Sequence, residues 1–407
     1  MQTHQPWRSA LVVAAFVCLF SSEAFVMAAP SATAPGGVLA RVPIEFTRNQ
    51  VRVPVSINGS APFRLILDTG MPGPGVLLRH SDRVDSLALE FPGSDQLSGG
   101  GSGPAVQARV APSERITVGG IEISEVPVAV LPPQSDLLQE VDGVIGAELF
   151  DRYAVRVDVD HKTMDLLDAK TFEPNPGSSI VALRIRDRMA FVDARVTVDG
   201  GAPVTADLAI DLGAGHGLWL NDDDDGRFAP PAHTIETVLG RGLSGPITGS
   251  VGRVRRIEIG DFAFENVVTL FPVAEYHNPG GVDFRDGFIG AEILKRFVVT
   301  YDYEHKRMVL ERGQRFSEAF EFDMSGMVLE TGGTKGRRVQ AVLANTPAEA
   351  AGVLPGDVLI AIDGKTILEL RAEGVSDALK RDGVTVRVTL ERDDATIEKT
   401  FTLRRLL

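Results

Sequence analysis

The chain of 407 residues holds one cysteine, Cys18, which excludes an internal disulfide framework. It also lacks any long run of Lys or Arg, and acidic residues outnumber basic ones to give a formal charge of −14. Phosphate backbones are gripped by clustered cations, so this balance argues against a nucleic-acid partner and leaves peptides and other neutral or basic ligands open. Beyond the N-terminal residues, no apolar stretch is long enough to cross a bilayer. Two hydrolase signatures are missing: the zinc-binding His-Glu-x-x-His and the serine elbow Gly-x-Ser-x-Gly. The acidic run Asp222 to Asp225 lacks the spaced ligands and closing glutamate of a calcium loop and reads as a solvated turn. Gly213-Ala-Gly215-His-Gly217 falls short of a dinucleotide fingerprint. No metal and no cofactor is expected.

Among the features present, the first residues read as an export signal over 1–29. Arg8 precedes the apolar run from Ala10 to Phe20, and small residues follow at Ala24, Ala28 and Ala29. Cys18 lies inside that run and leaves with it. The expected location is therefore periplasmic or secreted, with no membrane span in the mature form.

A long internal repeat follows. Val55-Ser-Ile-Asn58-Gly59-Ser-Ala-Pro62 answers Val196-Thr-Val-Asp199-Gly200-Gly-Ala-Pro203, and Leu67-Asp68-Thr69-Gly70 answers Ile210-Asp211-Leu212-Gly213. Asp142-Gly-Val-Ile-Gly-Ala-Glu-Leu-Phe answers Asp286-Gly-Phe-Ile-Gly-Ala-Glu-Ile-Leu, and His161-Lys-x-Met164 answers His305-Lys-x-Met308. The separation of matching positions drifts by only a few residues, which marks a duplicated domain and not a solenoid. Short β-branched runs broken by Asn-Gly, Asp-Gly and Gly-Gly predict mostly β lobes over 40–172 and 178–313, with hairpin turns at Asn58-Gly59 and Asp199-Gly200. The glycine-rich segments around Gly101-Ser102-Gly103 and Ser244-Gly245 read as flexible hairpin tips. His161 and His305 read as surface residues at turns.

Each aspartate emerges from an apolar strand, Phe63 to Leu67 in the first copy and Leu208 to Ile210 in the second, where a lone charge is costly. Two such carboxylates facing each other share a proton and titrate as a pair. One can then take a proton from water while the other hydrogen-bonds a carbonyl, the needs of amide hydrolysis.

On Asp68-Thr69-Gly70, the paired Ile145-Gly146 and Ile289-Gly290 motifs and the glycine-rich tips, residues 40–312 resemble retropepsin-like aspartic peptidase domains, fused in one chain as in pepsin-like enzymes. The resemblance implies a mainly β, bilobal double barrel with Asp68 and Asp211 as catalytic residues and a polypeptide substrate. It implies Thr69, Gly70, Leu212 and Gly213 as supports of the dyad, and Gly101, Ser102, Gly103, Ser244 and Gly245 as flap residues over substrate. The chain departs from the pattern at Leu212, where threonine or serine is usual, and at Met71, where a small residue is. Leu212 carries no hydroxyl, so half of the cross-lobe grip is expected to be missing.

The tail over 318–407 resembles a bacterial-type PDZ domain, a small α+β fold. Its signature is Thr346-Pro347-Ala-Glu349-Ala-Ala-Gly352, followed by Pro355-Gly356-Asp357 and a strand over 358–362. The first of these predicts a short helix capped by Thr346, with Glu349 reaching back and Gly352 as the stop. A second helix is expected over 370–380 and strands over 385–391 and 399–403. The resemblance implies a groove at Gly326, Met327, Val328 and Leu329 that takes a peptide or protein C-terminus by strand addition, its carboxylate meeting the amides near Gly326 and Met327. The expected function is an exported aspartic endopeptidase with a peptide-binding module. The alternative is a peptide-binding relative with weak or no catalysis, for which Leu212 speaks.

Overall fold

A computed structural model describes residues 37–407, except 74, 98, 102, 136, 223–224, 274–285 and 331–334. The expected export signal lies outside the described residues. Strands dominate, and the helices among the described residues are short.

Two eight-stranded sheets share one order of connections. In the first, Gln50–Ile57, Phe63–Leu67, Gly143–Ile145 and Val76–Leu78 lie side by side, and Gln50–Ile57 also pairs with Val106–Val118, curling the sheet toward closure. In the second, Met189–Thr197, Val204–Asp211, Gly287–Gly290 and Leu218–Leu220 take the same places, and Met189–Thr197 pairs with Gly245–Ile259. A six-stranded sheet joins the lobes at a seam between Ala154–Asp158 and Phe297–Asp302, with Val155 opposite Tyr301 and Val157 opposite Val299. One hydrophobic core runs through both lobes, from Val53, Leu65 and Leu67 to Leu208, Ile210 and Ile289. The lobes therefore share a core, and solvent does not separate them there.

The repeated Asp-Gly-hydrophobic-Ile-Gly motif places a strand parallel to each aspartate strand: Leu67 pairs with Ile145, and Asp211 with Gly290. Its leading glycine is required sterically. A Cβ on Gly143 lands 2.2 Å from the Leu77 carbonyl oxygen, and one on Gly287 lands 2.0 Å from that of Trp219. The aspartate before it ties down the neighbouring strand. Asp142 accepts from the Arg64 amide at 2.8 Å, and Asp286 from the Asp207 amide at 2.8 Å.

The hairpin turns differ from one another. Asn58 and Gly59 take φ of 48° and 78°, the left-handed pair expected of an Asn-Gly turn. Asp199 and Gly200 do not enter that region, and the second hairpin turns through a broader loop at 198–203, which leaves more residues to share the bend.

The tail forms its own sheet and core around Val339, Leu359, Val386 and Val388. The helix expected over 370–380 is Ile367–Ala378. Thr366 starts it with a full capping box to Glu369, and Arg371, at φ 56°, interrupts it. The last strand spans Ala395–Thr402, longer than expected because it pairs along the whole of Thr385–Arg392. Thr346 does not cap the short helix Pro347–Ala350; its hydroxyl donates to the Leu343 carbonyl at 2.6 Å instead. Glu349 does reach back, accepting from the Asn345 amide at 2.6 Å, and Gly352 (φ 74°) ends the turn.

The segment joining the second lobe to the tail is anchored by Arg296, a fully buried guanidinium. It donates to the carbonyls of Arg315, Glu318 and Ala319 and stacks 3.7 Å from the Phe320 ring. Arg253 of the second lobe adds a bond to the Phe320 carbonyl at 2.7 Å and an ion pair with Glu321.

Candidate active site

Asp68 follows strand Phe63–Leu67 and Asp211 ends strand Val204–Asp211, so each carboxylate is delivered at the mouth of a buried strand. Backbone glycines let the two lobes interlock there. A Cβ on Gly70 meets the Asp211 carboxyl carbon at 2.8 Å, and one on Gly213 meets that of Asp68 at 2.3 Å. Each glycine thus backs the opposite aspartate. No side chain fits in either place.

The carboxylates lie within hydrogen-bonding reach of each other, and their surroundings differ. Asp68 accepts from the Gly70 amide at 2.7 Å, and Asp211 from Ala214 at 3.0 Å with the Gly213 amide close by. Burial drives both toward the protonated form, and for Asp68 the Asp211 charge adds to it, raising Asp68 well above the usual carboxylate range. Both carboxyls therefore lean toward the protonated form, Asp68 the more strongly, while the Ala214 and Gly213 amides favour charge on Asp211.

Thr69 spans the lobes. Its buried hydroxyl donates to the Ile210 carbonyl at 2.7 Å and accepts from the Leu212 amide at 2.9 Å. The Leu212 side chain makes no reciprocal bond. It points into the shared core beside Phe46, Val157, Val299 and Tyr301. The departure at Leu212 thus exchanges a polar tie for apolar packing, while its own amide stays inside the Thr69 grip.

A second set of cross-lobe ties was not foreseen from the sequence. The hairpin tip at Arg48-Asn49 reaches the second lobe, where the Asn49 amide donates to Glu292 at 2.6 Å and to the Gly215 carbonyl at 2.9 Å. The matching tip at Arg188 reaches the first lobe and donates to Glu148 at 2.7 Å and Asp151 at 2.7 Å. Glu148 and Glu292 are the glutamates of the repeated Gly-Ala-Glu. A charged residue repeated inside an apolar motif was the available signal.

The two glycine-rich tips meet. The Ser244 amide donates to the Gly100 carbonyl at 3.0 Å, and the Gly103 amide to the Ser244 carbonyl at 2.7 Å. A Cβ on Gly101 or Gly103 collides with the backbone at Ser244, at 2.6 Å and 2.4 Å respectively. Gly245 takes φ 113°, a region reserved for glycine. Ser102 lies outside the described residues. Leu243 from the second lobe packs among apolar residues of the first, with Met71, Leu97 and Val106.

Flanking residues differ between the lobes. On the first, the group including Ile66, Leu77, Val141 and Val144 is aliphatic; on the second, Phe191, Trp219 and Phe288 are aromatic. His216 sits 5.7 Å from Trp219, with Nε2 unpartnered and burial lowering its pKa to about 4, so the ring is neutral at ordinary pH. His161 and His305 bond to Asp158 and Asp302 in their turns. Among the described residues no cluster of side chains suited to a metal ion occurs.

In the tail, the loop expected to receive a carboxylate is filled from within. The Ser325 amide, the Ser325 hydroxyl and the Gly326 amide all donate to Asp323 Oδ1, at 2.8, 2.6 and 2.9 Å, and the Met327 amide donates to Ser325 Oγ at 3.1 Å. The expectation that these amides stand ready for a chain terminus is corrected here. Val328 and Leu329 are half-exposed on strand Met327–Leu329.

Comparison with known proteins agrees with these two parts. Residues 53–149 match the family described as aspartyl protease, and residues 338–392 match the PDZ domain family. The chain thus carries an aspartyl protease domain and a C-terminal PDZ domain in a mainly β fold. Over 73 residues it is 34% identical to serine protease HTRA1 of Xenopus tropicalis and 36% identical to that of Xenopus laevis. Each similarity covers 18% of this chain and 15% of the relative, so the chain spans a small part of those proteins. Among the described residues no helix is long and apolar enough to cross a membrane.

Proposed function

We propose that the chain is an exported aspartic endopeptidase whose paired carboxylates, Asp68 and Asp211, activate water against a peptide bond. The observation that carries this reading is the environment of the pair: two carboxyl groups in contact at the junction of the lobes, each backed by the other lobe's glycine, with burial favouring a proton on the pair and most strongly on Asp68. Asp211 takes a proton from the attacking water as Asp68 gives its own to the scissile carbonyl oxygen, so charge on the pair is conserved through the addition step. The meeting tips near Gly100 and Ser244 fit a cover over an extended substrate. The PDZ domain supports a role in holding polypeptide beside the cleft, and the N-terminal residues support export.

The test is cleavage of denatured casein from pH 3 to 8 by the chain lacking residues 1–29, with and without pepstatin. Activity lost in both Asp68→Asn and Asp211→Asn establishes the pair. Activity retained in both sinks it. The competing reading, a peptide binder that does not cut, is favoured by Leu212. It predicts binding of casein without cleavage at any pH in that range.

A further inference from the structure

We propose that the groove of the PDZ domain takes an internal, extended segment of polypeptide and not a free chain terminus. This deepens the proposed docking role and rests on it.

Recognition of a chain terminus needs backbone amides free to meet its carboxylate. Here Ser325 and Gly326 donate to Asp323, and Met327 donates to the Ser325 hydroxyl, which itself donates to Asp323. The chain's own carboxylate thus stands where a ligand's terminal carboxylate is expected. All three residues are buried, so the amides are not shared with solvent. Gly326 cannot turn aside easily, because it has φ 85° and lies against Thr346, which a Cβ would meet at 2.3 Å. An incoming terminus would have to break several hydrogen bonds and bring a second negative charge beside Asp323, which already has the charge of Lys380 acting on it.

Strand addition has no such requirement. Among the described residues, Met327–Leu329 is the end strand of its sheet, paired only with Arg337–Val342. Its other edge offers main-chain groups to any extended segment, wherever that segment lies in its chain. A partner that runs on past the loop, uncharged where it passes Asp323, fits this site. An unfolded chain, the proposed substrate, presents many such segments and only one terminus.

The experiment uses the full chain carrying Asp68→Asn, so that cleavage does not intervene. A panel of fluorescein-labelled apolar ten-residue peptides is made in pairs, one ending in a carboxylate and one in an amide, and bound by fluorescence anisotropy. The expected result is that the amide binds at least as tightly as the acid in every pair that binds. Leu329→Glu is expected to weaken binding tenfold or more, which assigns it to this groove and not to the cleft. Asp323→Ala frees the amides and is expected to turn the preference toward the acid; Asp323→Asn, which keeps an acceptor in the loop, retains the wild-type preference. A tenfold preference for the acid with Asp323 in place overturns the proposal and leaves polypeptide docking standing. Binding untouched by Leu329→Glu, or no binding by any peptide, overturns the docking role as well.

Discussion

The two lobes have one strand order, yet they hold the junction by different means. The first contributes Thr69, whose hydroxyl serves a donor and an acceptor of the second lobe at once. The second contributes Leu212 at the matching place, which adds apolar area to the common core and no hydrogen bond from its side chain. The hairpin ties are unequal in the opposite sense. Arg188 of the second lobe binds two carboxylates and the Pro72 carbonyl of the first, whereas Asn49 of the first binds one carboxylate, one carbonyl and the Lys295 ammonium of the second. A two-fold frame therefore tolerates asymmetric contacts, provided that the backbone positions delivering the carboxylates keep their symmetry.

The sharpest way to test that frame is to remove its symmetric element. Asp68→Asn and Asp211→Asn are each expected to lower casein cleavage by ~10²-fold or more, to the same floor, because the pair acts as a unit. A large difference between the two, read from initial rates, breaks the symmetry at its centre. Next in size is the grip. Thr69→Val leaves the Ile210 carbonyl and Leu212 amide buried without their partner and is expected to cost about 2–3 kcal/mol in urea unfolding. Leu212→Thr is expected to cost about 1–2 kcal/mol, since it loses core volume and buries a hydroxyl among Val157, Val299 and Tyr301. A stabilising Leu212→Thr means that the second half of the grip can form after all.

Smaller effects come from the hairpin tips. Arg188→Ala leaves Glu148 with Arg152 at 3.4 Å and is expected to cost about 1–2 kcal/mol, whereas Asn49→Ala leaves Glu292 bound to Lys295 at 2.8 Å and is expected to cost under about 1 kcal/mol. Equal losses, measured by thermal unfolding, contradict the asymmetry drawn from the geometry. The last prediction concerns protons. Because the folded state raises the pair, it binds a proton that the unfolded chain has released above the ordinary aspartate range. That contribution is full at low pH and is lost as pH rises through the folded value, so Asp68→Asn is expected to raise stability at pH 7 while changing little near pH 3, read from urea unfolding at the two pH values. His216 works the other way. Its neutral ring is favoured in the fold, so stability falls as pH drops from about 6.5 toward about 4.

Much of this was legible in the chain itself. A repeat must fold twice in the same way when its apolar positions and obligatory glycines recur, and Gly143 and Gly287 recur because a Cβ at either collides with a neighbouring carbonyl. Asp68 and Asp211 could be named for the same reason, as charged residues closing buried strands. The PDZ domain was readable because helix caps and Asp-Gly turns act over a few residues.

Other features depended on residues far apart in sequence. Leu212 could be read as a missing hydroxyl, but that its amide remains held by Thr69 follows only from the lobes being brought together. The ties from Asn49 to Glu292 and from Arg188 to Glu148 cross between lobes; the repeated glutamate marks one end of each, and no local pattern names its partner. The loop at Ser325 and Gly326 follows no local pattern, because Asp323 can either turn outward or fold back on these residues, as it does here. The sequence alone determined which residues are apolar, which turns are forced and where the carboxylates are delivered. Only the tertiary structure decided which polar groups meet, because a hydrogen bond depends on positions to within a few tenths of an ångström that distant packing sets.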